Sequence, residues 1–244
     1  MNRREQMLAA LAIGPQWHLR PVRTGVDVDV AALQTPITLN QAGGGHPADA
    51  EIAAMDWPTL QAAVRDCRRC ALCATRTRSV FGSGTPGTPW MLVGEAPERN
   101  EDLQGVPFVG AAGTLLDNML AAISLSRSSS AYITNAVKCR PVDADGNDRA
   151  PSADEINSCR PFLTRQVQLV APASLIALGK SAAMALLACE PTTTLESLRG
   201  SVHRYGVLPL VTTYHPAELL CTPVDKRKSW QDLCLAVDAH LAAA

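Results

Sequence analysis

The chain has 244 residues, of which 47% are hydrophobic and 18% are charged, and its formal net charge is −1. This length can bury a full core, so we expect one domain of roughly 200 residues with an appendage and no second catalytic domain. The near-neutral balance excludes a protein that binds polyanions with its whole surface. Any contact with nucleic acid must therefore come from a local basic patch.

Eight cysteines occur in a chain with no apolar secretory segment. Clustered thiols in such a protein more often serve metal binding or chemistry than disulfides, which fits a reducing compartment. We therefore expect a cytoplasmic protein of bacterial type, without a membrane segment and monomeric.

The N-terminal stretch differs in composition from the rest of the chain. Residues 34–48 contain Pro36, the run Gly43-Gly44-Gly45 and Pro47, with few apolar side chains to pack. This composition is typical of a flexible linker. We assign residues 1–48 to an N-terminal arm with linker and residues 49–244 to the functional domain.

Strand-like and helix-like segments alternate along that domain. Apolar runs of strand length occupy residues 90–93, 132–137, 174–178 and 208–213, and helical spacing occurs in residues 111–125, 153–170, 181–188 and 226–243. In the second helical segment, Ser152 and Glu155 have the spacing of a capping box. The alternation predicts an α/β fold, a three-layer α/β/α sandwich with a central four-stranded, mainly parallel sheet.

In a sheet of this kind the ligand binds beyond the carboxyl ends of the strands. The loops that follow the four predicted strands are residues 94–107, 135–140, 179–180 and 214–220. The glycine-rich segment 82–87 matches a dinucleotide fingerprint in its letters, but it precedes the first of these strands, which is the wrong context for that motif.

The cysteine spacing indicates a metal site. Cys67 and Cys70 are three positions apart and can chelate one centre, and the single cysteines Cys139 and Cys159 can complete a set of four thiolates. Such a set suits either zinc or a 4Fe-4S cluster, and Cys73 can stand in for Cys67 or Cys70. Three further cysteines lie in apolar surroundings, and we expect them to be buried structural residues: Cys189, Cys221 and Cys234.

Several motifs occur in the order found in one enzyme family. They are Cys67-Arg68-Arg69-Cys70, Gly94-Glu95-Ala96-Pro97, Pro107-Phe108-Val109-Gly110, Ile133-Thr134-Asn135, Lys138-Cys139-Arg140-Pro141, Cys159-Arg160-Pro161 and Tyr214-His215-Pro216-Ala217. Over about residues 60–240, the chain resembles the family 4, iron-sulfur branch of the uracil-DNA glycosylase superfamily. The resemblance implies hydrolysis of the N-glycosidic bond of uracil in single- and double-stranded DNA, which leaves an abasic site.

The resemblance also implies roles for the residues of the strand-end loops. Gly94, Phe108 and Asn135 bind the uracil, with Phe108 stacked on the ring and the Asn135 amide matching N3–H and O4. His215 donates a hydrogen bond to uracil O2 as the base departs.

Three further residues of these loops are assigned to catalysis. Glu95 and Ala96 line the site of the attacking water. Glu101 matches a position associated with either water handling or exclusion of the thymine methyl group.

The cofactor and the DNA contacts are also implied by the resemblance. A structural 4Fe-4S cluster would be held by Cys67, Cys70, Cys139 and Cys159. DNA contacts are expected from Arg76, Lys138, Pro216, Ala217 and Leu219, with Leu219 or its neighbour Leu220 as an apolar wedge in the vacated stack. Arg76 and Lys138 also belong to a predicted phosphate-binding patch, whose other members are Arg65, Arg68, Arg69, Arg78 and Arg140.

Departures from the family pattern leave two rival functions open. Glu98, Asn100 and Glu218 stand where other residue types are common in the family, which would suit a catalytically weakened module that binds DNA or protein. The second rival is a zinc-stabilised enzyme of another class that acts on free nucleotides.

Overall fold

The computed structural model describes residues 47–190 and 192–243, together with the backbone of residues 23–28. Most of the predicted arm and linker, residues 1–22 and 29–46, lies outside the described residues. Within the stretch assigned to the arm, residues 23–28 form a strand that pairs with the main sheet.

The described residues form a sheet of six strands in the order β1-β5-β6-β4-β2-β3. Strand β2 lies parallel to β3 and β4, and β4 lies parallel to β6, whereas β5 is antiparallel to β6 and β1 is parallel to β5. The strands are β1 (Arg23–Val28), β2 (Trp90–Gly94), β3 (Ala131–Asn135), β4 (Ser174–Leu178), β5 (Ser201–Tyr205) and β6 (Leu208–Thr213). The four predicted strands are confirmed, and β1 and β5 extend the sheet beside β6.

Helices follow the strands as the alternation predicted. They are α1 (Asp49–Ala54), α2 (Trp57–Arg65), α3 (Arg99–Gln104), α4 (Gly110–Ala122), α5 (Ala153–Val170), α6 (Lys180–Leu187), α7 (Leu195–Leu198), α8 (Pro216–Cys221) and α9 (Lys226–Ala243), with 3-10 turns at Ala71–Ala74 and Pro223–Asp225. The predicted capping box opens α5, because Ser152 Oγ accepts from the Glu155 amide and the Glu155 carboxylate accepts from the Ser152 amide.

The two faces of the sheet carry separate apolar layers. Along β2, Met91 and Val93 pack with residues of α5 and α6, whereas Trp90 and Leu92 pack with residues of α4 and α9. This is the alternation that a strand buried on both faces requires. The three-layer α/β/α architecture is therefore confirmed.

A smaller apolar cluster fixes the segment that leads to the first cysteines. Leu60 and Val64 of α2 pack with Phe81 and with Phe162 of α5. Helix α2 starts at the cap Asp56, whose carboxylate accepts from the Thr59 amide, and it ends at Arg65, two residues before Cys67. No helix among the described residues has the length and apolar character needed to span a membrane.

A buried ion pair links α9 to the strand end that carries His215. The guanidinium of Arg199, 9% exposed, lies 2.8 Å from the carboxylate of Asp232, 2% exposed. Arg199 also lies 4.3 Å from the centre of the Tyr214 ring, directly before His215. Burial raises the pKa of Asp232 to about 6, and the Arg199 charge opposes that rise.

Replacement of Arg199 by methionine is expected to destabilise the protein by roughly 3–5 kcal/mol, because Asp232 is left buried without its partner. Urea unfolding at neutral pH measures the change. The control is Arg227→Met at an exposed position of α9, the helix that carries Asp232, and it is expected to stay within about 0.5 kcal/mol of wild type. Equal unfolding midpoints for the two variants would contradict the importance of the pair.

Candidate active site

Three predicted site residues meet at the carboxyl ends of parallel strands. Gly94 ends β2 and lies opposite Asn135, which ends β3, and His215 follows β6 by two residues. A Cβ atom on Gly94 would lie 2.3 Å from Asn135 Oδ1 and 2.4 Å from Phe108 Cζ. Only glycine lets the amide and the aromatic ring come this close to the end of β2.

Phe108 is held in an unusual backbone conformation beside this edge. Its φ angle is +54°, a left-handed value that is rare for aromatic residues, and its side chain is buried. The Phe108 amide donates to Glu101 Oε1 at 2.7 Å, and the Arg127 guanidinium donates to the carbonyls of Pro107 and Phe108 at 2.9 and 3.0 Å. A Cβ atom on Gly113 would lie 1.9 Å from the Phe108 carbonyl oxygen, so the start of α4 must also be free of a side chain there.

The amide of Asn135 is buried and only partly satisfied. Its Nδ2 donates to Glu101 Oε2 at 3.2 Å, whereas its Oδ1 has no hydrogen-bond partner. Burial raises the pKa of Glu101 to about 7, while hydrogen bonds from the Phe108 amide and from Asn135 lower it and the charge of Glu98 raises it. An unsatisfied buried acceptor is costly in a folded protein, and Oδ1 is therefore available to accept a hydrogen bond from a ligand.

His215 is placed as a neutral hydrogen-bond donor. Its Nδ1 accepts from the Ala217 amide at 3.3 Å at the start of α8, and burial lowers the pKa of the imidazole to about 4. With Nδ1 engaged as an acceptor, the proton of the neutral ring lies on Nε2. The ring lies beside Phe108, with 5.3 Å between the two ring centroids.

Glu95 is oriented by a residue that the sequence did not single out. The Ser181 hydroxyl, in the first turn of α6, donates to Glu95 Oε2 at 2.6 Å. Glu95 and Ala96 are half-buried directly after β2. Ser181 and Arg127 act on residues 86 and 19 positions away in the chain, and no local motif marks either of them.

The four predicted ligand cysteines line one cavity, together with Cys73. Three of the four sulfurs accept hydrogen bonds: Cys139 from the Arg76 guanidinium at 2.8 Å, Cys67 from the Arg69 amide and Cys159 from the Lys138 amide, both at 3.4 Å. Burial raises the pKa of the Cys139 thiol to about 11 and that of Cys159 to about 12. Buried thiols with N–H donors aimed at them fit a metal centre that deprotonates its ligands.

Lys138 does not contact solvent, so its predicted contact with DNA is wrong. The side chain is 1% exposed, and Nζ donates to Thr134 Oγ1 and to the Asn135 carbonyl, both at 2.6 Å. Burial lowers the pKa of its ammonium to about 7. Lys138 therefore supports the site from inside the protein.

Arg76 is likewise engaged within the protein. Besides Cys139 Sγ, its guanidinium donates to the carbonyls of Arg65 and Cys67, each at 2.8 Å. Of the other predicted cations, Arg65, Arg69 and Arg140 form ion pairs with acidic side chains. Arg68 and Arg78 are exposed, so the basic surface is smaller than the sequence indicated.

The loop after His215 also requires corrections. Leu219 is 1% exposed and packs in the core with Phe108, so its prediction as a wedge is wrong, whereas its neighbour Leu220 is 41% exposed. Pro216 is buried and Ala217 half-buried at the start of α8. Cys221 is exposed, and Cys189 and Cys234 are half-buried, so these three are not the fully buried residues that their apolar neighbours suggested.

Comparison with known proteins gives a consistent family assignment. Residues 81–234 match the model of the uracil DNA glycosylase superfamily. A protein of Archaeoglobus fulgidus is 41% identical over 166 residues, which cover 66% of this chain and 81% of the relative. A protein of Saccharolobus solfataricus is 42% identical over 168 residues, which cover 66% of this chain and 75% of the relative. A protein of Thermotoga maritima is 35% identical over 158 residues, which cover 64% of this chain and 79% of the relative.

Each of these three relatives is named a type-4 uracil-DNA glycosylase. The matched region contains β2 to β6 and the strand-end residues Gly94, Phe108, Asn135 and His215. The chain belongs to the uracil-DNA glycosylase superfamily, and within it to the type-4 family.

Proposed function

We propose that this protein is a DNA repair glycosylase that hydrolyses the N-glycosidic bond of uracil in single- and double-stranded DNA and leaves an abasic site. The observation that carries this proposal is the unpartnered Oδ1 of the buried Asn135 amide, at the strand edge that also holds Phe108 and a neutral His215. The names of the similar proteins support the same substrate. We place the activity in residues 49–244.

Uracil must leave the base stack before an enzyme can reach its N-glycosidic bond. In the pocket, Asn135 Oδ1 accepts from N3–H and Nδ2 donates to O4, which satisfies the unpartnered acceptor. Phe108 stacks on the flipped base, and such stacking contributes about 1–3 kcal/mol per base. The left-handed backbone of Phe108 is held by Glu101 and Arg127, so the ring is positioned before the base arrives.

His215 and Glu95 act on the bond that breaks. As the base departs, negative charge builds on its O2, and His215 Nε2–H donates to that oxygen, a contribution of roughly 3 kcal/mol for one preorganised donor. Because the imidazole is neutral, it stabilises the uracil anion without protonating it. The Glu95 carboxylate, held by Ser181, stabilises positive charge at C1′ and, with Ala96, lines the place of the attacking water.

We propose that Cys67, Cys70, Cys139 and Cys159 hold a 4Fe-4S cluster. Their shared cavity and the N–H donors at three sulfurs support it. A set of four thiolates suits either zinc or a 4Fe-4S cluster, and the resemblance of the cysteine motifs to the iron-sulfur branch of the superfamily favours the cluster. When bound, the cluster supplies a rigid cross-link among three chain segments.

Uracil-containing DNA is accordingly the proposed partner. Contact with its backbone falls to exposed groups such as Arg68 and Arg78, and the exposed Leu220 takes the place of the wedge. A monomeric state and a cytoplasmic location stay predictions from the sequence.

Uracil release from a labelled oligonucleotide tests the proposed reaction. His215→Ala and Asn135→Ala are each expected to lower the single-turnover rate by at least about 100-fold, because each removes a preorganised contact to the departing base. The control is His240→Ala, since His240 contacts Ser174 at the opposite end of β4 and should leave the rate near wild type. Intact DNA under excess wild-type protein would instead favour the catalytically weakened binding module.

Iron content tests the proposed cluster. Anaerobically purified wild type should contain iron and sulfide, and Cys139→Ser should lose most of the iron and unfold at a lower urea concentration, because ligand binding is coupled to folding. Cys221→Ser, at an exposed position, and Cys73→Ser should keep the wild-type iron content. Wild-type protein with zinc and no iron would contradict the cluster, and iron loss in Cys73→Ser would make Cys73 a ligand.

A further inference from the structure

We propose that Glu101 is a positioning residue that sets the orientation of the Asn135 amide and thereby makes the pocket accept uracil and reject cytosine. This inference rests on the proposed uracil glycosylase activity. It assigns Glu101 a role different from water handling and from exclusion of the thymine methyl group.

The Asn135 side chain makes a hydrogen bond on one side only. Nδ2 donates to Glu101 Oε2 at 3.2 Å, and Oδ1 is buried with no partner. A primary amide has two N–H groups, of which only one points to the same side as its oxygen. Because Glu101 engages Nδ2, one N–H is satisfied by the carboxylate, and Oδ1 with the other N–H forms the edge that remains for a base.

The Glu101 carboxylate is itself held in place by its hydrogen bond from the Phe108 amide. Its Oε1 accepts from the Phe108 amide at 2.7 Å, and the Phe108 backbone is held further by Arg127. Oε2 is therefore the oxygen that must face Asn135. If the amide turned over while Glu101 is ionised, Oδ1 would face Oε2. Two acceptors would then meet in a buried site without a proton between them, which is strongly unfavourable.

The two orientations of the amide read different bases. In the observed orientation the free edge offers an acceptor toward N3 and a donor toward the 4-position, which matches N3–H and O4 of uracil. In the reversed orientation the free edge would offer a donor toward N3 and an acceptor toward the 4-position. This pattern matches N3, an acceptor, and the 4-amino group, a donor, of cytosine. Specificity in such a site depends on which buried polar groups stay unpaired. While it is ionised, the Glu101 carboxylate thus excludes the orientation that would admit the far more abundant cytosine.

Replacement of Glu101 by glutamine reverses this preference without a change of shape. The fixed Phe108 amide requires an acceptor, so the glutamine oxygen takes that place and the glutamine NH2 faces Asn135. Asn135 then satisfies the new donor by turning its Oδ1 toward residue 101. Both local hydrogen bonds are kept, and only the edge offered to the base changes.

The test measures binding of oligonucleotides with one 2′-fluoro-2′-deoxyuridine, 2′-fluoro-2′-deoxycytidine or 2′-fluorothymidine residue, since the fluorine suppresses glycosidic cleavage. For Glu101→Gln, the ratio of uracil to cytosine affinity is expected to fall at least about tenfold, because each mispaired buried group weakens binding by that order. Glu51→Gln is the matched control. It makes the same carboxylate-to-amide change at an exposed position of α1 and should keep the wild-type ratio.

An unchanged uracil-to-cytosine ratio in folded Glu101→Gln protein overturns the proposal, and a gain confined to the thymine oligonucleotide would assign Glu101 to methyl exclusion instead. If Glu101→Gln does not fold, Glu101→Ala serves as the second variant. It removes the acceptor without adding a donor and should lower the same ratio to a smaller extent. Failure of the proposed function is distinguishable, because wild-type protein would then neither release uracil nor prefer the uracil oligonucleotide.

Discussion

The segment from Thr134 to Cys139, at the end of β3, joins the Asn135 amide, the proposed reader of uracil, to the cysteine cavity. The buried ammonium of Lys138 holds this segment in one conformation. Lys138 Nζ donates to Thr134 Oγ1 and to the Asn135 carbonyl. The same segment is bonded to the end of β2. The Ala136 amide donates to the Gly94 carbonyl at 2.8 Å, and the Val137 amide donates to the Glu95 carbonyl at 3.1 Å. A displacement of Cys139 would therefore also displace Asn135, four residues earlier in the chain.

The pocket depends on polar groups that are buried before any substrate binds. Glu101 satisfies two donors, while Asn135 keeps one acceptor unpaired and Phe108 keeps a left-handed backbone. The unpaired acceptor and the left-handed backbone each lower the stability of the free protein by an amount on the order of 1–3 kcal/mol. Burial of apolar side chains on the two faces of the sheet offsets this loss of stability. A base that enters the proposed pocket then meets polar groups that need no further reorganisation.

The sequence could predict the elements whose signals are local. Apolar runs located β2, β3, β4 and β6, and the Ser152–Glu155 pair located the start of α5. It could not predict β5, whose residues Ser201–Tyr205 mix polar and apolar side chains. That strand forms because it pairs with β6 across a turn at Gly206, which is a contact between segments and not a property of one.

For the site, residue types indicated the strand-end chemistry but not its burial. A lysine and a leucine in the expected motifs suggested contacts with DNA, yet Lys138 and Leu219 are both inside the protein. The motif alone cannot distinguish a cation that faces a phosphate from one that faces a backbone carbonyl. Ser181 and Arg127 escaped prediction because each acts on a partner brought near only by the fold.

The cysteine cavity, when filled, is expected to hold the Asn135 segment in the position proposed for reading uracil. The most direct test removes iron anaerobically from wild-type protein with a chelator and follows amide hydrogen exchange of residues 131–140 together with uracil release. Iron removal is expected to cause faster exchange in this segment and a parallel loss of uracil release, both restored when the iron and sulfide are returned. Uracil release at the wild-type rate by iron-free protein, with unchanged exchange in residues 131–140, would contradict it.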